Sequence, residues 1–291
     1  MRNFLYGLLL LAWPAAAQTA DVVAHPTLWH VKGPQGDAWL FGSIHILPPQ
    51  VKWRSPKVAA AIAKSDVFVF ETPLDPQSVG KLQALVAANG FLGPRQTLRE
   101  LLHPQYRDDF DAAAAASGVD PAQLSHERPW LAGLQMMFAQ IAKLNFNSEN
   151  GPDKTLMAEA GDAHKELRYL ETMEEQFAVL APSDAELDLE QFESSLKDLR
   201  DVTAEIQPMV DAWSTGDQAS LDRLVNGDLD KFPKARKELL NDRNARWLPR
   251  IVAMLKEKHT YFITVGAGHL TGPAGVPALL RKAGFKVTAD H

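Results

Sequence analysis

The chain carries the same short turn twice, near its two ends and each time directly after a strand-forming run. Ala38-Trp39-Leu40-Phe41 leads into Gly42-Ser43-Ile44-His45, and Thr260-Tyr261-Phe262-Ile263-Thr264-Val265 leads into Gly266-Ala267-Gly268-His269. A glycine that ends a strand lets the backbone turn sharply, which sets the histidine three positions on at the rim of a sheet, where imidazole binds metal or moves a proton. Two further apolar runs, Asp66-Val67-Phe68-Val69-Phe70 and Leu167-Arg168-Tyr169-Leu170, both end in Glu-Thr, at Glu71-Thr72 and Glu171-Thr172. Ligands of open α/β sheets bind outside the carboxyl ends of the strands, so four such ends point to one shared site. The first half reads strand, Gly-x-x-His, strand, Glu-Thr, and the second strand, Glu-Thr, strand, Gly-x-x-His, which suggests two pseudo-repeated halves.

The remaining pattern predicts an α/β fold, a central mixed β-sheet under a cap of helical insertions. Leu28-Trp29-His30-Val31 and residues 38–41 flank a Gly- and Pro-containing turn and read as a β-hairpin. Ser55-Pro56 opens a helix to Lys64, with serine as N-cap and proline in the first turn. Helical patterning then fills about 76–163 and again about 173–258, with a segment at 236–256 expected to break or kink near Pro249. Gly275-Val276-Pro277 starts a helix that Gly284 ends, and residues 285–288 close the chain as a last strand. Asp153, just after Gly151-Pro152, reads as an N-cap. The tryptophans lie in apolar strand runs and on helices and read as core.

Residues 1–17 have the layout of a secretory signal peptide: Arg2, an apolar run from Phe4 to Trp13, then Ala15-Ala16-Ala17 before Gln18. The run is too short to span a bilayer, so a periplasmic or secreted domain over 18–291 with no stable membrane anchor is expected. There is no cysteine, hence no disulfide, and the core alone must hold the fold. The formal charge is -6, and loss of Arg2 takes it to -7. No basic face is present to neutralise phosphates, which argues against a nucleic-acid partner.

The chain resembles the TraB/GumN family, which includes the TIKI proteases and is similar in fold to the erythromycin esterases. The resemblance is carried by Leu28-Trp29, Leu40 through His45, Asp66 through Glu71, Leu170-Glu171-Thr172 with Glu174-Glu175-Gln176, Arg243-Asn244-Ala245-Arg246-Trp247, and Val265 through Leu270. Ser43 stands where the family typically has threonine, which keeps the hydroxyl. The resemblance implies a metal-dependent hydrolase, a peptidase in the first instance, centred on His45, Glu71 and His269. Two imidazoles and a carboxylate would offer three ligands to manganese, cobalt or zinc, with open positions for water and a peptide or small amide or ester substrate. Arg243 and Asn244 would then stabilise the oxyanion, and Glu171 would orient a histidine or shuttle a proton. A metal-free hydrolase is equally coherent, with His45 as general base, Glu71 orienting it and Arg243 polarising the carbonyl. A different class, a non-catalytic binding protein of the envelope associated with polysaccharide export, would keep the fold without turnover.

Overall fold

The four motif-bearing runs end side by side. The computed structural model describes residues 21–290. Its strands are β1 (Val22–Val23), β2 (Leu28–Lys32), β3 (Asp37–Ser43), β4 (Val51–Lys52), β5 (Val67–Phe70), β6 (Glu166–Tyr169), β7 (Thr260–Gly266) and β8 (Lys286–Asp290). β1 and β4 make a small parallel pair, and the other six form one mixed sheet in the order β6-β5-β7-β3-β2-β8. β6, β5, β7 and β3 run parallel. Their carboxyl ends deliver Glu171, Glu71, Gly266 and Ser43 to a single edge. β2 is antiparallel to β3, as the hairpin reading required, and also to β8.

The connections interlock. From β3 the chain passes beyond the place of β7 to reach β5, and from β6 it passes beyond β5 to reach β7. Like motifs therefore end neighbouring strands. The helix Pro56–Lys64, between β3 and β5, buries Val58 and Ala61 on the face that carries Phe41, Phe68 and Phe262. Its N-cap is Ser55, whose hydroxyl accepts from the Val58 N–H at 3.3 Å. Leu98, Phe110, Met136 and Trp213 from the helical insertions pack on that same face. The helix Asp242–Met254 covers the opposite face, with Trp247 and Ile251 against Leu40, Val69 and Ile263. Both faces being covered explains why β5 reads Val-Phe-Val-Phe without alternation, each side chain contributing about 1.5–3 kcal/mol on burial.

Two local expectations are corrected. The helix Asp242–Met254 continues through Pro249 without the expected break, with Trp247 and Ile251 on either side fully buried and holding it to the sheet. The departure from α geometry comes earlier, in a π-helical turn at Lys237–Asn241. The last strand extends from Lys286 to Asp290, since all five residues pair with β2. The signal-peptide reading of residues 1–17 lies outside the described residues. Among the described residues no helix is long and apolar enough to cross a membrane.

Candidate active site

At the shared strand edge a buried guanidinium ties three motifs together. Arg243 donates from Nε to Glu171 Oε2 at 3.0 Å and from Nη2 to both Glu171 Oε1 and Glu71 Oε2, the latter at 2.6 Å. Nη1 reaches His269 Nε2 at 3.0 Å and the Leu239 carbonyl at 3.3 Å. That carbonyl belongs to the π-helical turn just before Arg243, a kind of irregularity often found where a backbone serves a site. These contacts employ all five guanidinium N–H groups. Arg243 thus has none left for a substrate oxyanion, and its place is that of a clamp between carboxylates. Trp247 lies under it, 4.8 Å from ring centre to guanidinium, and gives its indole N–H to Glu171 Oε2 at 3.2 Å.

His269 is held as one neutral tautomer. The Asn244 amide nitrogen donates to the Ala274 carbonyl at 2.9 Å, so its oxygen faces His269 Nδ1 at 2.7 Å and accepts the proton there. The lone pair is then on Nε2, where Arg243 donates to it. Burial pushes the His269 pKa down to about 3, against the pull of Glu71. Asn244 therefore acts on a histidine and does not face a substrate, contrary to its expected oxyanion role. Among the described residues the Glu171 carboxylate pairs with no histidine: it accepts from Arg243 and Trp247, and burial shifts its pKa upward despite them. Burial also opposes ionisation of Glu71. The charges of Arg243 and of protonated His45, together with the Gly266 N–H, which donates to Oε1 at 2.6 Å, outweigh it and hold the carboxyl well below the ordinary carboxylate range. Gln176 donates to Glu71 Oε2 at 3.2 Å and accepts from the Thr72 hydroxyl at 3.0 Å.

His45 is oriented by a residue whose sequence position suggests only a cap. The N-cap of the helix Pro152–Asp162 is Gly151, and Asp153 in its first turn points its carboxylate to the first motif. Asp153 Oδ2 lies 3.0 Å from His45 Nδ1 and also accepts from the Ser43 hydroxyl. The helix approaches this closely because Gly151 has no side chain: a Cβ there would lie 2.1 Å from the His45 carbonyl oxygen. Backbone bonds between Leu47 and Asn147, both 3.2 Å, fix the approach. The Asp153 charge, opposed by desolvation and helped by the hydrogen bond and by Glu71, raises the His45 pKa to about 9. His45 is nevertheless the open face of the site, its side chain 58 % exposed, whereas Glu71, Glu171, Arg243 and His269 are buried.

The motif histidines and Glu71 meet over Gly266. A Cβ on this residue would stand 3.2 Å from His45 Nε2, 3.4 Å from Glu71 Oε1 and 3.6 Å from His269 Cδ2. Gly268 answers a different need, since a Cβ there would meet Val225 and Asn226 at 2.8 and 2.9 Å. Gly42 packs on the second motif at Ala267, and its carbonyl accepts the Trp213 indole N–H at 2.7 Å. The nitrogen and oxygen donors suit a divalent cation in kind, and His269 Nε2 lies 4.0 Å from Glu71 Oε1. They do not fit one as arranged, because the only lone pair on the His269 ring is engaged by Arg243. Among the described residues no group of three or more His, Asp or Glu side chains is gathered for a metal ion.

The sequence profile of the TraB/PrgY/gumN family matches residues 27–289. The chain is similar to YbaP of Escherichia coli (strain K12), an uncharacterised protein, with 25 % identity over 83 % of this chain and 87 % of YbaP. It is also similar to an uncharacterised protein of Treponema pallidum (strain Nichols), with 20 % identity over 96 % of this chain and 90 % of the relative. No solved structure matches it.

Proposed function

Because the chain belongs to the TraB/PrgY/gumN family, whose motifs here converge on one sheet edge, we propose that it is an exported hydrolase of a peptide or of a small amide or ester. The observation that carries this reading is the His45 ring, held at Nδ1 by Asp153 and turned with Nε2 toward Glu71 across Gly266. In this reading Nε2 takes a proton from water as the water oxygen attacks the carbonyl carbon, and returns it to the departing amine or alkoxide. Asp153 and Glu71 stabilise the imidazolium formed in between. Arg243 keeps Glu71 ionised and in place without touching the substrate.

The test is turnover of fluorogenic peptides and nitrophenyl esters by the purified protein from pH 6 to 10, beside His45→Gln and Asp153→Asn. Loss of turnover in His45→Gln with the fold retained is expected, and undiminished turnover there rejects the reading. Specific binding of an envelope polysaccharide with no turnover would favour the binding-protein alternative instead. A second reading, in which manganese, cobalt or zinc sits between His45, Glu71 and His269, is favoured by their convergence over Gly266. It requires Arg243 to release His269.

A further inference from the structure

We propose that Arg243 and a divalent cation compete for one place in this site, so that the guanidinium is the resident cation and a metal ion binds only when Arg243 lets go of His269. The exclusion holds whether or not the site turns over a substrate. Asn244 fixes the proton on His269 Nδ1, which leaves Nε2 as the one lone pair of the ring. An imidazole lone pair is directional, and the Arg243 Nη1–H lies along it at 3.0 Å. Glu71 is engaged less completely: Oε2 accepts from Arg243 and Gln176, and Oε1 accepts from the Gly266 N–H and keeps a second lone pair. A metal ion that used His269 would have to take over the Nε2 bond that Arg243 Nη1 now makes, even if it met Glu71 through Oε1 alone.

The charges lead to the same exclusion. Glu71 and Glu171 are two buried carboxylates, and Arg243 is the cation hydrogen-bonded to both. The guanidinium compensates one of the two charges, so adding a dication to the buried cluster beside it would leave positive charge unpaired. Without the guanidinium, the two buried carboxylates share no cation, and oxygen donors of that kind are what a hard cation seeks. The π-helical turn at Lys237–Asn241 supplies the Leu239 carbonyl that helps to hold Nη1 in this position.

The test is titration of the purified protein with manganese, cobalt or zinc chloride alone, by calorimetry with metal analysis of the dialysed product. Wild type is compared with Arg243→Gln, Arg243→Lys and the double variant Arg243→Gln/His269→Ala. Arg243→Gln should bind at least tenfold more tightly than wild type and gain thermal stability on metal addition, and the double variant should lose that gain. Arg243→Lys keeps the charge but cannot bridge all three groups, so it should fall between the two and stands in if Arg243→Gln fails to fold. Equal affinity in wild type and the Arg243 variants overturns the proposal, as does a gain that survives the loss of His269. Hydrolysis is not among the readouts, so failure here and failure of the hydrolytic reading are separable.

Discussion

Replacing Asp153 with asparagine removes the charge that raises the His45 pKa while leaving an oxygen to accept from Ser43 and His45. With its pKa at about 9, His45 at pH 7.5 is neutral in only about 3 % of molecules, whereas at the ordinary value of about 6.5 it would be neutral in about 90 %. The variant should move His45 most of the way between these limits. Proton NMR titration of the His45 ring reads this directly, with no substrate needed. In the rate, wild-type kcat/KM should climb about tenfold per pH unit up to about 9, and the variant should level off near 6.5 at a plateau lower by roughly a hundredfold. Stability follows the raised pKa: the contribution is fully present below about 6.5 and fades as pH rises through about 9. Because the ring is 58 % exposed, solvent screening limits that contribution to about 1 kcal/mol. A wild-type His45 that titrates near 6.5, or one whose titration is unmoved by Asp153→Asn, would refute the role given to Asp153.

Gly266→Ala should fold, since its backbone (φ -52°, ψ 138°) suits any residue, yet its methyl would press on His45 Nε2 at 3.2 Å and turnover should fall at least tenfold with the circular dichroism spectrum unchanged. Glu127, 4 % exposed, has its pKa raised to about 7 by burial, although Gln135 donates to it. A raised carboxyl pKa contributes stability below about 4.5 that is lost as pH rises through about 7, so urea unfolding should show up to about 3 kcal/mol less stability at pH 8 than at pH 4.5. Glu127→Gln should flatten that dependence. Trp213→Phe strips the buried Gly42 carbonyl of its indole donor and leaves a void beside Phe41. It should cost about 2–4 kcal/mol in denaturant melts, and a loss under about 1 kcal/mol would mean that Gly42 is held by the sheet alone.

The parallel sheet edge was legible because each strand carries its own stop signal. Gly42, Glu71 and Gly266 end apolar runs whose length and β-branched or aromatic content already mark them as buried, and Glu171 ends a shorter run that forms the half-exposed edge strand. Helix starts with a cap and a proline, such as Ser55-Pro56, were readable for the same reason: the information is local. Pro249 misled because local chemistry predicts a break, while the burial of Trp247 and Ile251 decides the outcome, and burial is a property of the fold. Trp247 itself reads from sequence as core. It is fully buried, and it also packs on His269 at a tilt of 43° with ring centres 4.4 Å apart.

What the site does with its residues was harder to read than which residues it contains. Asp153 occupies a position where capping explains an acid, and its bond to His45 spans more than a hundred residues of sequence. The one local trace is Gly151-Pro152 before it: proline starts the helix, and glycine is what permits contact with the His45 carbonyl. Arg243 shows the limit more sharply. From sequence an arginine beside a catalytic strand is a free donor, ready for an oxyanion. In the fold its five N–H groups meet five acceptors on Glu71, Glu171, His269 and Leu239, which turns a reagent into a strut. Only a count of donors against acceptors reveals that difference, and the count exists only once four distant segments have been brought to one sheet edge.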